Sequence, residues 1–130
     1  MRRSVKQISH YSCGRWKSRR LRQAERERWR TQGRACAVRV ARLLASEFQV
    51  ERVCLIGSLA RSEPLHDRPD IDVVVYGLSQ DRFWEALSAA SEVALPYELD
   101  LITIEEATPS IREAARRGEV LFDAKALREG

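Results

Sequence analysis

The feature that most constrains the fold is a β-branched run, Ile71–Tyr76 (IDVVVY), with one acid inside it and another immediately before it. Side chains two positions apart on a strand point to the same face, so Asp70 and Asp72 share one side. Ile71 and Val73 then point to the other side. Because two carboxylates so close repel each other when both are ionised, this pattern predicts a buried strand whose acidic end attracts a cation.

A second feature is the small-residue turn Gly57-Ser58, which follows the strand-like run Arg52–Ile56 (RVCLI). Glycine lets a backbone approach a phosphate closely, and amides at a helix start donate hydrogen bonds to phosphate oxygens. We expect a short helical segment to begin at this turn. The Ser58 hydroxyl and the Arg61 guanidinium are then candidates to bind the terminal phosphate of a nucleotide.

A third carboxylate, Asp100, lies inside another predicted strand, residues 97–104 (YELDLITI). If this strand lies beside Ile71–Tyr76, Asp100 joins Asp70 and Asp72 and completes a site for two divalent ions. Such a pair of ions stabilises the attacking and leaving oxygens of an in-line displacement, and oxygen ligands of this kind suit Mg²⁺.

A simpler interpretation of each of these residues remains open. The acids are then solvated at an exposed strand entrance, Ser58 caps a helix, and Arg61 forms an ion pair.

Helical periodicity and turn residues predict the remaining elements. The apolar face of residues 37–48 predicts one amphipathic helix, and residues 81–93 predict another with Phe83 facing inward and Trp84 as a further candidate. Pro109 suits the first turn of a helix that ends near residue 117, before a short strand at 119–122. The alternation predicts an α/β or α+β fold with a small mixed sheet of three to four strands covered by helices.

Charge is distributed unevenly along the 130 residues. Through Arg42 there are 14 Lys or Arg against two Glu, a net charge of about +12, and the rest of the chain carries about −8. We therefore predict a mobile tail (1–15), a basic helical arm (16–33) with Gly33 as a break, and a main domain (34–130). Three interpretations of the arm are open: a solvated face, a surface that binds an acidic partner or a second copy of the chain, and an RNA-binding surface. RNA binding is the least favoured, because the arm contains few aromatic residues.

Composition bounds the setting in which the protein works. Cys13, Cys36 and Cys54 are an odd number without CxxC spacing, which is typical of free thiols in a reducing cytoplasm. Apolar stretches are only a few residues long, so no membrane span is expected. The basic start of the chain is not followed by the apolar region of a secretory signal.

Three motifs resemble the minimal nucleotidyltransferase (MNT) family of the DNA polymerase β-like superfamily: LIGSLAR at 55–61, DIDVVV at 70–75 and ELDLI at 98–102. The resemblance covers about residues 37–122 and implies the polymerase β-like nucleotidyltransferase fold. It implies that Asp70 and Asp72 bind metal, that Asp100 is the third catalytic and metal-binding carboxylate, and that Gly57 and Ser58 hold a triphosphate. The implied reaction is Mg²⁺-dependent transfer of a nucleoside monophosphate, most often AMP from ATP.

The resemblance also implies a partner. Many small MNT proteins are antitoxins of a helical HEPN ribonuclease, and some adenylylate a tyrosine of that toxin. We expect the same of this chain, because the stretch after about Thr108 is too short for the acceptor domain of aminoglycoside-modifying relatives. Two alternatives stay open: a small-molecule nucleotidyltransferase completed by dimerisation, and a binding module that masks a toxin without catalysis.

Two positions depart from the family pattern, and both lie between the phosphate turn and the acid pair. The segment from Leu59 to Pro69 is one residue longer than the family usually has, and Ser62 stands where a glycine is usual.

Overall fold

The computed structural model describes residues 15–129, and the side chains of residues 22–127. Residues 1–14 of the predicted tail, including Cys13, therefore lie outside the described residues. Arg15, the last residue of the predicted tail, begins the first helix. The helices and strands follow one another as α1 (Arg15–Phe48), β1 (Arg52–Ile56), β2 (Ile71–Tyr76), α2 (Phe83–Ala94), β3 (Leu99–Thr103), α3 (Pro109–Arg117), β4 (Glu119–Asp123) and α4 (Ala124–Glu129). A single 3₁₀ turn, Gln80–Arg82, leads into α2, and another, Ile104–Glu106, follows β3.

The four strands form one mixed sheet in the order β3-β2-β1-β4. β2 and β3 are parallel, whereas β1 is antiparallel to both β2 and β4. The predicted α+β fold with a small mixed sheet is thereby confirmed. The order matters for function because it places β2, the strand that carries the acid pair, between β3 with the third acid and β1 with the glycine turn.

Helices cover both faces of the sheet. On one face, α1 and α2 enclose the main core, where Val40, Leu44, Leu55 and Val73 are fully buried. On the other face, α3 packs through Ala115 against a smaller apolar cluster. This division confirms the two-faced interpretation of β2, since alternate residues of that strand enter different cores.

The N-terminal helix α1 is continuous over 34 residues, so the predicted break at Gly33 is wrong. Gly33 is buried inside the helix, and a β-carbon there would lie 3.0 Å from Leu59 Cδ1. The glycine thus serves a close approach of the loop after β1, and packing offsets its weak helix propensity. Although α1 is long enough to cross a bilayer, no helix in the described range combines such length with an apolar composition.

The predicted helix at residues 81–93 is confirmed as α2, but Trp84 does not face inward. Its buried residues are three alanines, Ala86, Ala90 and Ala94, which allow close packing against α1. Trp84 is 76% exposed, whereas Phe83 beside it is partly buried against the main core. The phase of the helix is therefore set by small residues rather than by the aromatic pair.

Candidate active site

The sheet brings together the three carboxylates that the sequence singled out. Asp72 on β2 is directly paired with Asp100 on β3. Neighbouring strands lie about 4.8 Å apart, and paired residues of parallel strands point to the same face. Asp70, immediately before β2, lines the same surface depression of about 270 Å³ as Asp100. All three acids therefore cluster where β2 and β3 begin.

This proximity affects the ionisation of Asp72. The pKa of Asp72 is raised from 3.8 to about 6, chiefly by burial and then by the negative charges of Asp100 and Asp70. The positive charge of Arg61 acts in the opposite direction. A half-buried carboxylate surrounded by acids in this way is stabilised by any cation that binds beside it.

The glycine turn lies directly against this carboxylate. Gly57 has a φ of +80°, a conformation that side-chain-bearing residues rarely adopt. A β-carbon on Gly57 would lie 2.5 Å from Asp72 Oδ2, which is closer than atoms can approach. Glycine at this position is therefore required both by the backbone conformation and by the contact between the turn and the acid.

The segment after Gly57 is a pair of turns, so the short helix predicted to start there is absent from the described fold. The Ala60 amide donates to the Gly57 carbonyl at 3.0 Å, and the Arg61 amide donates to the Ser58 carbonyl at 3.3 Å. Within residues 15–129, the amides of Ser58 and Leu59 donate to no backbone carbonyl. Phosphate binding at this turn would therefore rely on free amides rather than on a helix dipole.

The loop between the turn and the acids forms a second cavity, of about 460 Å³. It is lined by Ser58, Arg61, His66 and Arg68, among others. This volume lies within the range of small-molecule pockets. Arg61 Nε lies 3.1 Å from Glu63 Oε1, and both side chains are largely exposed. An ion pair in solvent contributes little, so Arg61 can exchange this partner for a phosphate.

Sequence reasoning missed three residues around the site. Glu98 lines the depression together with Asp70 and Asp100, and its spacing of two from Asp100 was the available signal. Arg30 and Arg34 of α1 donate hydrogen bonds to carbonyls of the glycine turn and the loop after it. No local pattern reveals such contacts, because the partners are 25 or more residues apart.

The acids do not by themselves form a closed metal site. Among the described residues, no group of three or more His, Cys, Asp or Glu side chains has the arrangement of a metal-binding cluster. Asp72 and Asp100 point to the same face of the sheet, and Asp70 and Asp100 line a surface depression. This arrangement differs from a structural metal site, in which protein ligands fill the coordination sphere.

Comparison with protein families gives a match over most of the chain. Residues 39–126 match the family described as polymerase beta, nucleotidyltransferase. The match includes the glycine turn, all three acids and all four strands. A search of curated protein sequences finds no significant match.

Solved structures with a similar fold come from toxin–antitoxin complexes. One is a mutant of the toxin–antitoxin MntA–HpeT, with 19% identity, a TM-score of 0.56, and coverage of 72% of this chain and 77% of the other. A second is a toxin–antitoxin with AMP-PNP, at 20% identity, TM-score 0.55 and coverage of 71% and 77%. A third is a tri-AMPylated HEPN toxin in complex with MNT antitoxin from Shewanella oneidensis, at 20% identity, TM-score 0.53 and coverage of 75% and 77%. At these identities the likeness shows the fold.

Proposed function

Because the chain belongs to the polymerase beta nucleotidyltransferase family, we propose that it transfers AMP from ATP, with Mg²⁺, to a hydroxyl of a partner protein. In this proposal the protein is the antitoxin of a HEPN-type ribonuclease toxin. The observation that carries the proposal is the direct pairing of Asp72 with Asp100, with Gly57 in contact with the Asp72 carboxylate. The acid pair and the glycine turn therefore lie side by side.

The donor set suits Mg²⁺. Asp70, Asp72 and Asp100 would hold it, since Mg²⁺ prefers oxygen ligands and is often bound by one or two carboxylates together with substrate phosphates. The remaining ligands of such an ion would be phosphate and water oxygens, because Mg²⁺ usually keeps several waters. When bound, the metal would neutralise charge on the transferring phosphoryl group.

The turn supplies the other half of the nucleotide site. The free amides of Ser58 and Leu59 can donate to phosphate oxygens, and the Ser58 hydroxyl adds a third donor. Arg61 can neutralise part of the triphosphate charge once it leaves Glu63. These groups orient the nucleotide so that its α-phosphate faces the acid cluster.

Asp100 has a second role in this proposal. Its β3 position is exposed, beside Glu98 at the open edge of the cluster, so an acceptor hydroxyl can approach it from solvent. Its carboxylate can hold the hydroxyl proton while the oxygen attacks the α-phosphate and pyrophosphate departs. The catalytic work of the chain is thus positioning and charge stabilisation.

The partner is proposed from the structural neighbours. Complexes of a HEPN toxin with MNT antitoxin share this fold, and in one of them the toxin is tri-AMPylated. A protein acceptor also agrees with the open, solvent-facing edge at Asp100. Arg22, Arg26 and Arg28 of α1 provide a charged surface that an acidic region of such a partner could bind.

A transfer assay tests this function. The protein is incubated with Mg²⁺, ATP labelled at the α-phosphate, and a helical HEPN-type protein, the class of partner proposed here. We expect label on the partner and a loss of about 100-fold or more in Asp72→Asn and in Asp100→Asn, because several kcal/mol of charge stabilisation are removed.

The control is Glu92→Gln, which removes an exposed carboxylate of α2 outside the proposed site and should transfer normally. Equal transfer by Asp72→Asn and the wild type would exclude the proposed metal role. A partner that is neutralised without any label, equally well by Asp72→Asn, would establish masking by contact instead.

A further inference from the structure

We propose that Arg30 and Arg34 of α1 are positioning residues, which hold the glycine turn in the shape that binds nucleotide phosphates. The inference rests on the proposed function and extends it to a part of the chain outside the family motifs. It gives the long basic helix a defined role at the site. The role is indirect, since neither guanidinium needs to touch the nucleotide.

Arg30 connects α1 to three carbonyls of the loop. Its Nη1 donates to the Arg61 carbonyl at 2.6 Å and more weakly to the Ser58 carbonyl at 3.4 Å, and its Nη2 donates to the Glu63 carbonyl. Along the chain, these carbonyls belong to a residue before Arg61, to Arg61 itself and to a residue after it. A single planar guanidinium therefore spans the segment from the phosphate turn to the residue that pairs with Arg61.

Arg34, one helical turn further, binds the same segment near its start, at Leu59. Its Nη1 donates to the Leu59 carbonyl at 3.1 Å, and its Nη2 forms an ion pair with Glu119 of β4 at 2.5 Å. Between the two arginines, Gly33 lets the buried Leu59 side chain pack against the helix. One face of α1 thus holds the turn through two arginine side chains and one apolar contact.

These contacts determine which backbone groups remain for a ligand. The carbonyls of Ser58 and Leu59 are occupied by α1, whereas their amides donate to no backbone carbonyl among residues 15–129. An arrangement that ties down acceptors and leaves donors free favours anions over cations at the turn. The positive charges on α1 strengthen this preference.

The test compares three full-length variants. Arg30→Ala removes the connection, Arg30→Lys keeps the charge but cannot reproduce a planar fork with several donors, and Arg26→Ala is the matched control. Arg26 lies one turn away on the same helix and lines the same cavity as Arg30, of about 420 Å³, so it reports the loss of one nearby charge. Far-UV circular dichroism verifies that each variant is folded.

Two measurements are made on each variant. Hydrogen exchange of the ligand-free protein follows the Ala60 and Arg61 amides, which are hydrogen-bonded within the turn. Calorimetry with Mg²⁺ and AMP-PNP measures nucleotide affinity. We expect Arg30→Ala to accelerate exchange at both amides and to weaken binding about tenfold, the size of one charge-assisted hydrogen bond. The exchange rates and the nucleotide affinity of Arg30→Lys should lie between those of Arg30→Ala and the wild type. At 0.5 M salt, the nucleotide affinity of Arg26→Ala should match that of the wild type within about twofold.

Several results would overturn the inference. Unchanged exchange in Arg30→Ala would mean that the arginine does not order the turn. Faster exchange with unchanged nucleotide affinity would make Arg30 a structural residue only. If Arg26→Ala lost as much nucleotide affinity as Arg30→Ala, the effect would come from the positive charge of α1 and not from the hydrogen bonds of Arg30. If the wild type binds no Mg²⁺–nucleotide, the proposed function fails, while the exchange measurement still decides whether Arg30 holds the turn.

Discussion

The Asp72→Asn variant should be more stable than the wild type at neutral pH, although it is expected to be inactive. In the folded protein the pKa of Asp72 is raised from 3.8 to about 6 by burial and by the charges of Asp100 and Asp70. A shift of about two units corresponds to about 3 kcal/mol. Because the side chain is only half-buried, solvent screening reduces this penalty to roughly 1–2 kcal/mol.

The direction in which stability changes with pH follows from proton binding to Asp72. An acid whose pKa is higher in the folded state holds its proton more tightly there, so the free energy of unfolding falls as pH rises. The penalty is absent below about pH 3.8, grows between 3.8 and 6, and is complete above that range. Asparagine carries no charge at any of these values, so the advantage of Asp72→Asn should follow the same curve.

Urea unfolding followed by circular dichroism measures the effect. With EDTA present, the variant should gain roughly 1–2 kcal/mol over the wild type at pH 8 and nothing at pH 3.5. Asp67→Asn, which removes an exposed carboxylate outside the cluster, should show no such pH-dependent gain. A variant no more stable than the wild type at pH 8, or a gain equal at both pH values, would refute the reasoning.

Three further perturbations test the packing, the turn and the basic arm. Gly57→Ala should cost roughly 1–2 kcal/mol of stability and weaken nucleotide binding measured by calorimetry, because its φ is +80° and its β-carbon would collide with Asp72; unchanged affinity would contradict the proposed turn. Leu44→Ala, at a fully buried core position, should lower the free energy of unfolding by about 3 kcal/mol in urea titration, and a cost below about 1 kcal/mol would contradict the described core. Replacing both Arg22 and Arg26 with Ala should weaken partner binding at low salt but not at 0.5 M salt in a pull-down titration; equal affinity at low salt would leave this part of the arm a solvated face.

The central strands were predictable to the residue because their sequences admit little else. Arg52–Ile56 and Ile71–Tyr76 are rich in β-branched and apolar residues, each is followed by a glycine, and both strands have these limits. Pro109 and Gly118 likewise delimit α3 as expected. The proximity of the acids also followed from sequence, given strand alternation and the assumption that the third strand lies beside the second.

What the sequence could not reveal depends on contacts between distant residues. Gly33 reads as a break by propensity, yet its packing against Leu59 keeps α1 continuous. The turn after Gly57 has the composition of a helix start, but its carbonyls bond to Arg30 and Arg34 rather than continuing a helical pattern. Both differences arise because α1 packs over the turn, which no local periodicity encodes.

The central claim is that the acids at the start of β2 and β3 bind a divalent metal beside a nucleotide held by the glycine turn. Crystals grown with Mn²⁺ and AMP-PNP test it most directly, since manganese can replace magnesium and is identified by its anomalous scattering. We expect an anomalous peak between the carboxylates of Asp70, Asp72 and Asp100, with phosphates on the Ser58 amide. A nucleotide bound elsewhere, or an anomalous peak distant from these three carboxylates, would contradict the account.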